Sequence, residues 1–176
     1  SSALTVAVGS RPCVHSPVHA EFSEIKEVIA AHIRADIDGS PIEFVSWDTA
    51  DVEGWLKRHS GHGAKVRDVA RWGYRLRGAR LDYVGDRTVG TCVYEQDSRL
   101  ISIFMFPETE GAPLAIRGQR NRYSALTWSD RGTVCCSVSQ VTVDGLEHLA
   151  EAWEEAASPL TESGDPAAFG TSEALR

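Results

Sequence analysis

The sequence predicts an α+β domain built on an antiparallel β-sheet of about five to six strands, with helices packed on one face. Apolar residues recur at helical spacing near both ends of the chain, whereas the stretch from Tyr74 to Ser139 falls into short β-branched and aromatic runs. Those runs are separated by tight reversals, too short for the crossover that parallel neighbours need. At 176 residues the chain suits one domain with a sizeable core, not two.

The elements follow in order. Ser16-Pro17 offers an N-cap and a proline at the first helical position. Phe22, Ile25, Ile29 and Ile33 then form an apolar stripe, opposed by Glu21, Glu24, Lys26, Glu27 and Arg34, and this helix should end near Asp38-Gly39. Ile42 to Trp47 reads as a short strand. Asp48 or Thr49 can cap a second helix that runs to about His59 and buries Val52, Trp55 and Leu56, with Gly61 and Gly63 as its stop.

Tyr74 to Val84 is the next strand, broken at Gly78-Ala79 by an expected bulge. Gly85-Asp86 turns the chain into Thr88–Glu95, and residues 96–99 turn it again into the strongly apolar strand Leu100–Phe106, ended by Pro107. Pro107 to Arg122 is polar, carries Gly and Pro, and reads as a long loop. Tyr123–Trp128 and Thr133–Ser139 make a further hairpin across Asp130-Arg131-Gly132. A last helix is expected to start at Asp144 with Glu147 in a capping-box arrangement, burying Leu146, Leu149, Ala150 and Trp153. The domain thus spans 16–157, after a membrane-proximal or linker segment (1–15) and before a tail (158–176) whose Ser, Gly, Pro, Glu and Ala content predicts disorder.

A net charge of −7 argues against nucleic acid as a direct partner, and against docking of the folded domain on an anionic membrane face. The basic stretch Arg67 to Arg80 reads as the polar face of a strand region. No run approaches the roughly 18 apolar residues of a membrane span. The chain opens on Ser1-Ser2 and is read as a processed or truncated piece. Its apolar run Ala3 to Val8 is compatible with the end of a removed membrane helix, a signal-peptide tail, a strand or a cloning remnant.

Three groups of residues could carry chemistry. Cys13, His15 and His19 place one thiol and two imidazoles within seven residues, a soft and borderline ligand set suited to copper or zinc; the plainer alternative is a solvated terminal tail. Cys135 and Cys136 are neighbours on one strand and should point to opposite faces. Either could meet Cys92 if their strands pair, giving a disulfide or a redox trigger, and the alternative is three small buried thiols. His59 and His62 sit where the second helix ends, a position that the helix dipole favours without a ligand; His32 reads as a half-buried packing residue. No G-x-S-x-G elbow, P-loop or strand-linked G-x-G-x-x-G occurs, and the carboxylate pairs Asp36/Asp38 and Glu108/Glu110 fall in loop-like contexts, so the expectation is a protein that is not an enzyme.

Several segments carry a resemblance. They are His19-Ala20-Glu21 through His32-Ile33-Arg34, Val52-Glu53-Gly54-Trp55-Leu56, Val66-Arg67-Asp68-Val69, the continuous stretch from Gly73 to Pro107 with its successive strands, and the hairpin Tyr123–Trp128 with Cys135–Ser139. Over about residues 18 to 155 this pattern resembles the extracytoplasmic domain of transmembrane anti-sigma factors. The resemblance implies a sensor domain on the periplasmic side of the bacterial inner membrane. A membrane helix would precede it, and a cytoplasmic segment would hold an extracytoplasmic-function sigma factor inactive. This chain lacks the H-x-x-x-C-x-x-C pattern of the zinc-binding cytoplasmic segment, so sigma would be bound only through a part absent here. It also carries Trp47-Asp48-Thr49-Ala50-Asp51 where many relatives have a His-Thr-Val-rich stretch. Neither Cys13/His15/His19 nor the paired cysteines belong to the family pattern, which makes metal or oxidant the expected envelope signal. The junction Cys13–His19 and the Pro107–Arg122 loop are the expected movable pieces. The alternatives are a free-standing periplasmic metal-binding protein using Cys13, His15 and His19, and a small hydrolase or ligand-binding domain.

Overall fold

Seven strands and three α-helices make up the computed structural model, which describes residues 17–109 and 115–159. They run α1 (Pro17–Ile37), β1 (Phe44–Val45), α2 (Thr49–Ser60), a single 3-10 turn (Ala70–Trp72), β2 (Arg75–Val84), β3 (Arg87–Gln96), β4 (Arg99–Pro107), β5 (Arg117–Arg120), β6 (Tyr123–Asp130), β7 (Thr133–Ser139) and α3 (Val143–Ala157). Among the described residues no helix is long and apolar enough to cross a membrane. The segment read as membrane-proximal and most of the predicted tail lie outside the described residues.

The strands form one sheet in the order β1-β2-β3-β4-β7-β6-β5, and every pairing is antiparallel. The reversals have local causes. Asp97 and Ser98 both take positive φ (48° and 64°) between β3 and β4, as do Arg131 and Gly132 (45° and 80°) between β6 and β7. Two successive left-handed residues give a turn whose twist matches that of the strands it joins.

The α+β class holds, with two corrections to its detail. The sheet has seven strands instead of five to six, because β5 forms inside the stretch read as a loop. Arg117-Gly118-Gln119-Arg120 has no apolar alternation, since it is an edge strand held by backbone bonds to β6. The helices also cover both faces, not one. On one face α2 and α3 bury Val52, Leu56, Leu146, Leu149 and Trp153 against Leu76, Ala79, Tyr94, Ile101, Ile103 and Met105. On the other, α1 buries Val28, Ile29 and Ala31 against Val84, Val89, Phe104, Phe106, Cys136 and Val138. Two-sided burial explains why β3 and β4 read as continuous apolar runs instead of alternating ones.

Helix starts follow side-chain caps. Asp48 Oδ1 accepts the Asp51 N–H at 3.0 Å, and Gly61 closes α2 with φ 75°. The cap of α3 is Thr142, not Asp144: its Oγ1 accepts the Gly145 N–H at 3.1 Å, which leaves Asp144 in the first turn. Along α3 it is Ala152, not Ala150, that joins Leu146, Leu149 and Trp153 in full burial. The expected bulge is present, with the β2–β3 register shifting between Leu76 and Gly78. Gly78 takes φ 149°, and a Cβ there would stand 2.0 Å from the Phe44 carbonyl oxygen, so only glycine lets β1 approach β2.

Candidate functional site

Beneath α1 lies a buried polar cluster in an otherwise apolar layer. Successive side chains of β2 at Arg80 and Asp82 share one face because strand side chains alternate. That face meets α1. Arg80 Nε donates to Asp82 Oδ2 at 2.8 Å, Thr91 Oγ1 donates to the same oxygen at 2.7 Å, and Arg80 Nη1 donates to the Pro41 carbonyl at 3.0 Å. Arg80 Nη2 then reaches across β3 to Ser102 Oγ on β4 at 2.7 Å. Ser102 Oγ is also 2.7 Å from His32 Nδ1 on α1. All five side chains are buried, Thr91 and Ser102 almost completely. Arg34 of the same helix donates to the Tyr83 carbonyl at 2.9 Å, and His32 meets the Tyr123 ring edge-on.

The electrostatics follow from this burial. Desolvation is the main cause that lowers the His32 pKa to about 4; the Arg80 guanidinium adds to it, and Asp36 and Asp82 pull the other way. The imidazole is therefore neutral at pH 7. An ion pair as buried as Arg80–Asp82 adds little net stability, yet removing one partner leaves an uncompensated charge. Such a cluster fixes one orientation of α1 on the sheet, because a displaced helix would break the His32–Ser102 bond and strip the cover from the buried Arg80–Asp82 pair.

A second polar anchor lies on the opposite face. Arg67 makes two parallel bonds to Asp130, at 3.0 and 2.9 Å, and Trp153 Nε1 donates to Asp130 Oδ2 at 2.8 Å. Burial pushes the Asp130 carboxyl up, but the bonds from Arg67 and Trp153 outweigh it and hold the group below its ordinary value. The basic stretch Arg67 to Arg80 is thus not simply an outward polar face: its two end residues are drawn into the protein by carboxylates. Sequence reasoning missed both anchors. The available signal was the opposite-charge pair Arg80/Asp82 at strand spacing, opposite a helix stripe that needed a surface to cover.

The three cysteines in the sheet are buried and form no disulfide. Cys92 and Cys135 face α2 and α3, while Cys136 faces α1, so the adjacent pair does point to opposite sides. The condition for a bridge to Cys92 is not met, because β4 lies between β3 and β7 and their strands do not pair. Desolvation raises the Cys92 and Cys135 thiols well above their ordinary range, which keeps them protonated and poorly nucleophilic.

Of the terminal cluster, Cys13 and His15 lie outside the described residues, and His19 falls in the first turn of α1. His59 is exposed at the end of α2, stacked on Trp55, with Nδ1 2.8 Å from the Trp55 carbonyl. His62 Nε2 lies 2.9 Å from Thr133 Oγ1, and His148 is exposed on α3. Among the described residues no group of three or more His, Cys, Asp or Glu side chains is arranged to hold a metal ion. Comparison with protein-family models, with curated proteins and with solved structures finds no match to this chain.

Proposed function

We propose that this chain is the extracytoplasmic sensor domain of a membrane-anchored anti-sigma factor, working by a change in how α1 sits on the sheet and not by catalysis. One observation carries the reading. Three residues from one helix and two strands of the resemblance, His32, Arg80 and Ser102, meet in a single hydrogen-bonded cluster. Arg34 and Tyr83, from two of the same segments, are also bonded. In the proposed protein α1 is the helix that follows the membrane span, so its docking on the sheet is the joint through which the domain speaks to the membrane. A signal acts there only through different affinities for the docked and undocked arrangements. The partner is a sigma factor, held by a cytoplasmic segment beyond this chain, and the domain works on the periplasmic side of the inner membrane.

The test is a reporter of sigma-dependent transcription in cells making the full-length protein. Loss of the protein is expected to raise reporter output, and Ser102→Ala or Arg80→Met is expected to shift it at unchanged protein level. Output that is indifferent to loss of the protein would sink the reading. Reporter output that ignores both substitutions, in a protein that does repress, would reject the α1 joint alone.

A further inference from the structure

Strand β5 covers only part of β6. Its residues pair with Tyr123–Leu126, and the last backbone bond between the two runs from the Thr127 N–H to the Ile116 carbonyl at 2.9 Å. β6 continues to Asp130, paired with β7 on its other side. Backbone groups alternate along an antiparallel strand, so the Ser129 N–H points to the same side as that of Thr127. Among the described residues no strand stands beside it there. A groove of about 560 Å³ runs along this edge, walled on its other side by α3. Leu126 and Trp128 face α3, so the side chains of Thr127 and Ser129 alternate away from it. Both nevertheless line the groove, which therefore opens onto the edge of the strand and not only onto its face.

The helix wall is acidic. Glu147, Ala150, Glu151, Glu154 and Ala157 recur at three- and four-residue spacing and share one side of α3. The alanines leave room and the glutamates supply charge. At each end an arginine is already engaged: Arg117 holds Glu147, and Arg131 donates to the Ala157 carbonyl. Between them the exposed Glu151 and Glu154 make no salt bridge among the described residues. Trp128 is partly exposed in the strand wall, and its buried indole N–H finds no acceptor among the described residues, as such a group usually does. We propose that this groove receives an extended basic peptide segment of a partner protein. The segment adds to the open edge of β6 as a strand and sets lysine or arginine side chains against Glu151 and Glu154. Main-chain bonds at Ser129 fix its register, the carboxylates select its charge, and the indole face suits a cationic side chain. The length fits as well. From Glu147 to Ala157 α3 rises about 15 Å, which about four to five extended residues span. The groove stands on the sheet edge and is independent of the anti-sigma reading; where both hold, the protein carrying the peptide is a partner that the sensor reads.

The experiment titrates the full chain, by calorimetry, with two end-capped heptapeptides, one alternating lysine and valine and the other glutamate and valine. The basic peptide is expected to bind, more weakly as salt rises, and the acidic one not to bind. Glu151→Gln combined with Glu154→Gln alters two exposed side chains without touching the core, and should weaken the basic peptide about 10-fold. Ser129→Pro removes the edge N–H, a change that an edge strand tolerates, and should abolish binding. A thermal melt checks the fold of the proline variant; should it unfold, the glutamine pair decides. No binding to the full chain, as a groove already filled by a second copy or by another segment of this chain would give, overturns the proposal. Equal affinity for the acidic peptide overturns it too, as does binding that the glutamine pair or a folded Ser129→Pro leaves unchanged.

Discussion

Arg80 and Ser102 are joined by a 2.7 Å hydrogen bond although their strands are not neighbours; β3 lies between them, and the guanidinium crosses it above Thr91. That reach ties the outer half of the sheet to its centre, and Ser102 passes the connection to His32 on α1. One hydroxyl thus joins helix and sheet.

Ser102→Ala should therefore cost more than a surface serine would. It leaves an Arg80 donor and the His32 ring without their shared partner, and a buried unsatisfied group costs about 1–3 kcal/mol. Urea unfolding of the variant should show a lower midpoint with an unchanged slope. A loss below about 0.5 kcal/mol, the range of neutral surface changes, would mean that the cluster is not holding α1.

The pH dependence has a definite sign. His32 titrates near pH 4 in the folded protein, below the ordinary value of about 6.5 that it takes when unfolded. Between those values the unfolded chain binds a proton that the folded one refuses, so stability is fully present above the upper value and falls as pH drops through the window. The loss from this group amounts to about 3 kcal/mol once pH is below both values. His32→Gln should flatten that part of the profile, measured as unfolding free energy against pH. Parallel profiles for parent and variant would assign the acid sensitivity elsewhere.

Asp130→Asn tests the opposite face. The change breaks the paired bonds to Arg67 and weakens the acceptor for Trp153. Breaking a buried ion pair from one side costs about 3–5 kcal/mol. Replacing Arg67 by Met and Asp130 by Asn together should recover part of that loss, and a double-mutant cycle would measure it.

Gly78→Ala should detach β1. The added Cβ meets the Phe44 carbonyl, and φ 149° is a conformation that alanine avoids at a cost of about 1–3 kcal/mol. Amide hydrogen exchange at Glu43 and Ser46, whose N–H groups bond to Ala79 and Arg77, should accelerate while that of β4 stays slow.

The helix caps give a direct comparison of two neighbours. Thr142→Ala removes the α3 cap and should cost about 1 kcal/mol, whereas Asp144→Ala should cost only the smaller dipole contribution of about 0.3–1 kcal/mol. Equal losses would return the cap to Asp144.

The sequence by itself determined the elements whose causes are local. Pro17, Asp48 and Gly61 mark helix ends, Asp97-Ser98 and Arg131-Gly132 mark reversals, and Gly78 marks the bulge, because each depends on backbone angles or a cap within a few residues. Tertiary structure alone decided which faces were covered and which charges were buried. Arg80 looks the same in sequence whether it meets water or Asp82, and β5 has no apolar pattern because its bonds are made by backbone. Cys92 and Cys135 were kept apart by β4, a matter of strand order that spacing along the chain does not encode. Such contacts depend on which segments come together across the sheet, and that choice is made by the collective burial of the whole core.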